Sequence, residues 1–153
     1  MHLIFRAIRI IVLDLSYNSI FEVPPQIGEL SVLRELRLSN NKISVIPREI
    51  GKIPRLRKLY LNGNRLRAIP AEIGKLQLLE ELLLSENQLE DIPASIAGIA
   101  ALRILNLQNN KLRALPYELS EVQTLEEMDC SNNESLEMVP KKVQYLIKMS
   151  RLL

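Results

Sequence analysis

Apolar side chains return along this chain at a fixed interval. The phrase Leu36-x-Leu38-x-x-Asn41 recurs as Leu59-x-Leu61-x-x-Asn64, Leu82-x-Leu84-x-x-Asn87 and Leu105-x-Leu107-x-x-Asn110, each 23 residues after the last. Leu13-x-Leu15-x-x-Asn18 precedes this run and Met128-x-Cys130-x-x-Asn133 follows it. Apolar residues at alternate positions point to one side of a strand, and the residues between them point to the other. Each phrase therefore predicts a short strand with one core face and one solvent face.

Beyond the strand the chain must turn, and Asn suits the turn. Its amide can bond backbone groups of adjacent coils that would otherwise be buried unpaired. Asn18, Asn41, Asn64, Asn87, Asn110 and Asn133 are thus expected to form a ladder through stacked coils. The rest of each repeat returns along the outside. In the second repeat Ile43, Ile46, Ile50, Ile53 and Leu56 face inward, with Pro47 fixing φ and Gly51 allowing close packing. The third repeat copies it with Leu66, Ile69, Pro70, Ile73, Gly74, Leu76 and Leu79. No coil can bury its apolar face alone, so stability comes from stacked neighbours.

The strand phrase and the outer phrase Asn64-Arg65-Leu66-Arg67-Ala68-Ile69-Pro70-Ala71-Glu72-Ile73-Gly74-Lys75-Leu76 together resemble leucine-rich repeats. The 23-residue length is similar to the intracellular class found in Ras-associated scaffolds, the Ras suppressor protein, plant intracellular Ras-group-related proteins and the Scribble and Erbin polarity proteins. It is less similar to plant receptor kinase ectodomains, whose repeats are usually one residue longer. The resemblance implies an α/β fold: a leucine-rich repeat solenoid, a curved horseshoe with a parallel concave β-sheet and short helical or 3-10 convex segments. One domain is expected over residues 1–153. It comprises a partial coil at 1–9, six strand-bearing repeats over 10–139 and a partial seventh coil at 140–153.

Two departures from the pattern stand out. After Asn133 the spacing slips by one, so that Leu136 lies three residues on where Leu112 lies two, which predicts a bulge in one turn. The chain also begins inside one coil and stops inside another, with Val143, Leu146, Met149 and Leu152 in register for a seventh strand. Uncapped ends expose core surface. The chain then reads as a piece of a longer array, and end-to-end self-association is the alternative.

Composition narrows the function. With 25% charged residues and a formal net charge of +2, the chain has no general electrostatic reason to hold nucleic acid. Arg6 and Arg9 interrupt the apolar start, and no small-residue cleavage site follows as a signal peptide requires. No stretch is apolar enough to span a bilayer. Cys130, the single cysteine, fills a core leucine slot, and the sequon Asn133-Glu134-Ser135 uses a ladder Asn. Both favour a reducing, cytoplasmic setting. Catalysis lacks material: the single histidine is His2, phosphate-binding glycine loops are absent, and Glu80-Glu81 and Glu126-Glu127 read as solvated surface. No cofactor and no metal site are expected.

What remains is the concave sheet, where equivalent residues of parallel strands stack about 4.8 Å apart. One column runs Ile11, Arg34, Arg57, Glu80, Arg103, Glu126, and the next Val12, Glu35, Lys58, Glu81, Ile104, Glu127. Their charges either satisfy one another across strands or meet a partner. The column between the leucines holds Asp14, Arg37, Tyr60, Leu83, Asn106 and Asp129. Tyr60 and Leu83 are an aromatic and an aliphatic side chain facing out at its centre, the anatomy of a binding hot spot. Nearby Ser39, Asn62, Gly63 and Ser85 are small enough to admit a partner. Charge is uneven along the arc. Arg34, Arg37, Arg57 and Lys58 face Asp14 and Glu35 in the first half, whereas Arg103 faces Glu80, Glu81, Glu86, Glu126, Glu127 and Asp129 in the second.

The expected function is non-catalytic: a module that binds a protein on its concave face in intracellular signalling or scaffolding. The predicted contact residues are Arg34, Arg37, Arg57, Tyr60, Glu80, Leu83, Asn106 and Asp129. The resemblance implies a small GTPase, phosphatase or kinase as partner. The alternative is the substrate-recognition segment of a larger enzyme, such as a ubiquitin ligase or kinase.

Overall fold

The computed structural model describes residues 9–150 of the chain. Six strands, β1 (Val12–Asp14), β2 (Glu35–Arg37), β3 (Lys58–Tyr60), β4 (Glu81–Leu83), β5 (Ile104–Asn106) and β6 (Glu127–Asp129), form one parallel sheet in sequence order. The register is uniform: Leu36 pairs with Leu59 and Leu82 with Leu105, so the 23-residue period of the sequence is the period of the coils. The middle residue of each strand is buried and its neighbours face outward, as alternation requires.

The outer half of each coil carries a five-residue 3-10 turn, at Pro25–Glu29, Arg48–Lys52, Ala71–Lys75, Ala94–Gly98 and Tyr117–Glu121. A proline precedes or opens each turn, with φ fixed near the value the turn needs; Pro47 has φ −69° and Pro70 φ −68°. Each turn buries one side chain, Ile50 and Ile73 among them. Adjacent turns approach closely where glycine stands. A Cβ on Gly51 would lie 2.3 Å from the Glu72 carbonyl oxygen, and one on Gly74 2.2 Å from that of Ser95.

Between sheet and turns lies a single column of buried Leu and Ile that runs from Leu13 to Val143. Full burial of one such side chain contributes about 1.5–3 kcal/mol, and each touches the coils before and after its own. Cys130 is part of this core, as expected from its leucine slot.

The ladder is built as the sequence implies. Asn64 Nδ2 donates to the carbonyls of Leu38 in the preceding coil (2.9 Å) and Leu61 in its own (3.0 Å), while its Oδ1 accepts from the Ile43 N–H (3.0 Å). Asn41, Asn87, Asn110 and Asn133 repeat the set. Asn18 differs: it is exposed, and among the described residues its amide donates to the carbonyls of Leu15 and Ser16 of its own coil.

The residue before each ladder Asn is left-handed throughout: Tyr17, Asn40, Gly63, Glu86, Asn109 and Asn132 have φ between 53° and 67°. Gly63, which sequence reading placed among residues open to a partner, serves this turn. Asn at three of the six positions tolerates the conformation, whereas Tyr17 and Glu86 hold it at a cost.

The slip after Asn133 is a bulge. Ala114 bridges Met138, 24 positions on, where Glu22 bridges Val45 at the normal 23. After it the structure departs from expectation. Lys141–Ser150 is a ten-residue α-helix, α1, in place of the partial seventh coil's 3-10 turn, so Met149 leads into no strand within the described residues. Val143 is buried and Leu146 packs on the core, and α1 lies against β6 and the turn Tyr117–Glu121, covering the last coil. Leu152, the expected strand position, and the partial coil at 1–9, except Arg9, lie outside the described residues, as does His2.

Candidate functional site

The outward face of the sheet is built by the two residues that flank the buried centre of each strand, together with the residue just before the strand. Alternation sends them away from the core, and uniform register stacks them in columns. Most of the charged ones are paired with each other. Arg57 bonds Glu80, and Arg103 bonds Glu126 through two contacts, Nε to Oε1 at 3.0 Å and Nη2 to Oε2 at 2.7 Å. In the next column Lys58 Nζ meets Glu81 Oε1 at 2.8 Å. Cross-strand satisfaction thus accounts for these columns, each exposed pair contributing about 0.2–1 kcal/mol.

Tyr60 sits at the centre of a denser network. Its hydroxyl donates to Glu81 Oε2 at 2.6 Å, and the Arg37 guanidinium lies over its ring, 5.8 Å from the centroid. Arg37 Nε in turn donates to Glu35 at 2.5 Å, and Nη1 is 3.6 Å from Asp14. Sequence reading left Tyr60 uncovered; in the structure it is half-buried, with one face under Arg37 and its polar tip engaged.

Electrostatics follow these contacts. Burial pushes the Tyr60 hydroxyl above its ordinary pKa, and the bond to Glu81 adds to it. Burial pushes Glu81 upward, but hydrogen bonds from Lys58 and Tyr60 outweigh it, so the carboxyl lies below its usual range. Lys58 is raised by its bond to Glu81. Both ends of the network therefore stay ionised at neutral pH.

The remaining predicted contacts divide. Asn106 and Asp129 each use one side-chain oxygen to accept the N–H two residues on, Gln108 (3.0 Å) and Ser131 (2.8 Å), which fixes the side chain against its own turn. Leu83 is half-buried and pairs in register with Tyr60. Arg34 is exposed. Ser39 and Ser85 are buried instead of open, and Ser39 Oγ donates to Asn62 Oδ1 at 2.7 Å. Ile104 was passed over as a contact. It is half-buried beside Glu81 on β5, diagonal to Leu83, and extends the apolar strip Tyr60–Leu83 by one strand. The signal that would have found it is its column, where it is the uncharged member between Glu81 and Glu127.

A family model described as leucine rich repeat matches residues 9–66 and 54–112. The chain belongs to the leucine-rich repeat family. Solved structures agree. A leucine-rich repeat protein of Leptospira interrogans is 34% identical, with TM-score 0.83 over 95% of this chain and 36% of its own length. The ectodomain of the receptor kinase SOBIR1 from Arabidopsis thaliana is 32% identical, with TM-score 0.71 over 82% of this chain and 71% of the other. The plant peptide hormone receptor RGFR1, solved in complex with RGF2, is 28% identical, with TM-score 0.78 over 94% of this chain and 28% of the other. The chain thus spans about a third of the Leptospira repeat protein and less of the hormone receptor. No curated protein matches it. Among the described residues, no helix is long and apolar enough to cross a membrane.

Proposed function

We propose that this leucine-rich repeat chain is a protein-interaction module whose outward sheet face holds its partner. The observation that carries this reading is the strip Tyr60–Leu83–Ile104: three half-buried apolar side chains on adjacent strands, set among charges already fixed in ion pairs. A partner that covers the strip gains apolar burial without having to order the surrounding side chains, because their ion pairs hold them in place. The likeness to a hormone receptor solved with RGF2 supports a binding role.

Ion pairing changes the charge reading of the arc. Arg37, Arg57 and Lys58 are engaged with Glu35, Asp14, Glu80 and Glu81, so the cationic half is largely neutralised on the protein itself. Glu86, Glu127 and Asp129 form no ion pair among the described residues. The face therefore favours a partner with an apolar anchor over β3–β5 and cationic groups towards β6. The 23-residue period and the buried Cys130 thiol support intracellular scaffolding in signalling as the setting.

The test is capture of partners by wild type, by Leu83→Ala with Ile104→Ala, by Tyr60→Phe, and by the outer-turn pair Lys52→Ala with Lys75→Ala. All are checked for native circular dichroism. Loss with the first variant and retention with the last supports the reading. Loss with the outer-turn variant alone overturns it and moves the binding surface to the 3-10 side.

A further inference from the structure

The flank just beyond the asparagine ladder carries a second surface that sheet-face binding leaves unused. Between the second and third coils, Val45, Ile46, Ala68, Ile69 and Pro70 floor a groove of about 730 Å³, with Arg65 and Arg67 along one wall. Val45 is 66% exposed, an aliphatic side chain at an outward position that Glu22 and Asp91 hold in other repeats. Leu66, between the two arginines, is fully buried, while Arg65 and Arg67 are exposed.

Arg65 and Arg67, like Arg34 on the sheet face, form no ion pair among the described residues, whereas Arg37, Arg57 and Arg103 are each held by a carboxylate. Here the cationic capacity is open, and it lines an apolar floor.

The two arginines indicate what fits. Both are exposed and separated by a single residue in the chain, and carboxylates at alternate positions of an extended peptide, about 6.6 Å apart, suit two such long side chains. A peptide laid along the groove presents alternate side chains to its two walls. Two carboxylates then meet Arg65 and Arg67 of the third coil, and the residue between them meets Val45 of the second. We infer that this groove binds an extended protein segment of acidic–aliphatic–acidic pattern, at a site separate from the sheet face.

The neighbouring charges limit the occupant. Lys42 stands one coil before Arg65, with its ammonium over the Phe21 ring at 5.3 Å, and Gln88 and Glu90 take the positions of Arg65 and Arg67 one coil after. The positive field therefore covers the second and third coils, stops at Glu90, and does not run on as a nucleic-acid track requires. A short acidic peptide matches that reach.

The probe is a fluorescein-labelled peptide with Glu-Leu-Asp at its centre and Gly-Ser flanks, titrated against the full chain by anisotropy and by amide and methyl NMR shifts. A counterpart with Lys-Leu-Lys serves as control. Saturable shifts at Val45, Ala68 and Gln88 are expected with the acidic peptide and not with the basic one. Arg65→Glu with Arg67→Glu should weaken binding roughly tenfold or more, two exposed charge contacts being reversed. Val45→Asp should weaken it as well, and Leu83→Ala with Ile104→Ala should leave it unchanged. The arginines and Val45 are exposed, so the fold is expected to persist, and circular dichroism checks this. Equal binding of the basic peptide, no saturable binding up to millimolar peptide, or unchanged binding by the arginine variant overturns the inference. So does a preference for single-stranded RNA or anionic vesicles that ignores Val45→Asp. Failure here leaves the sheet-face reading standing, because that reading rests on Leu83 and Ile104.

Discussion

Asn64→Leu is the sharpest test of how the coils are held together. In the folded chain Asn64 supplies the Ile43 N–H with an acceptor and the Leu38 carbonyl with a donor, and both partners belong to the preceding coil. Leucine has similar volume but no polar atoms, so the buried Ile43 N–H loses its acceptor, whereas the Leu38 carbonyl keeps the Asn41 amide at 3.0 Å. An unsatisfied buried group costs about 1–3 kcal/mol, and that is the loss expected for Asn64→Leu. The same substitution at Asn18 is the control. Its amide reaches the Leu15 and Ser16 carbonyls of its own coil at 3.0 Å each, it is exposed, and the Leu15 carbonyl also receives Asn41 Nδ2 at 2.9 Å. Asn18→Leu should therefore cost under about 1 kcal/mol, as surface changes do. Urea unfolding followed by far-ultraviolet circular dichroism gives the midpoint and slope for each variant. A midpoint shift that is large for Asn64 and small for Asn18, at unchanged slope, is the expected outcome. Equal shifts would refute the argument, because residue type and repeat position are the same in both and they differ in the buried N–H that Asn64 Oδ1 satisfies.

Further expectations follow from the turns and the network. Glu86→Gly should stabilise the fold by roughly 0.5–1 kcal/mol, since glycine accepts the left-handed φ of 55° freely, part of the gain being offset in the unfolded chain; thermal unfolding reads it. Gly51→Ala should lower stability by about 1–3 kcal/mol, because its Cβ would lie 2.3 Å from a backbone oxygen that cannot rotate away. The Glu81 carboxyl is held below its ordinary pKa, so its contribution is present above the unfolded-state value and is lost as pH falls through the folded one. Glu81→Gln should flatten the acid limb of a stability–pH profile, and an unchanged limb would contradict the network.

The solenoid was legible because the repeat supplies its own alignment. Once the period is known, residues 23 apart are neighbours in space, and Arg57–Glu80, Lys58–Glu81 and Arg103–Glu126 can be read as pairs without coordinates. The contacts that escaped run diagonally or along one strand. Tyr60 to Glu81 and Arg37 to Glu35 depend on rotamers that no column states. The left-handed position before each ladder Asn was half visible, with Asn40, Gly63, Asn109 and Asn132 hinting at it and Tyr17 and Glu86 hiding it. The helix α1 was missed because Val143 and Leu146, three apart, satisfy the outer phrase of a coil and an amphipathic helix equally well. Among the described residues no further coil packs on its far side, so the close approach that brings a carbonyl to 2.6 Å of a Cβ on Gly28 does not limit its length.

The central claim, that a partner sits on the outward face of the sheet, is tested most directly by a methyl footprint of the complex. With Leu, Ile and Ala methyls labelled and the captured partner added, the signals of Leu83 and Ile104 should shift or broaden on binding. Those of Ala71 and Ala94, exposed on the outer 3-10 turns, should not move. Perturbation of Ala71 and Ala94 with Leu83 and Ile104 unchanged would contradict the account.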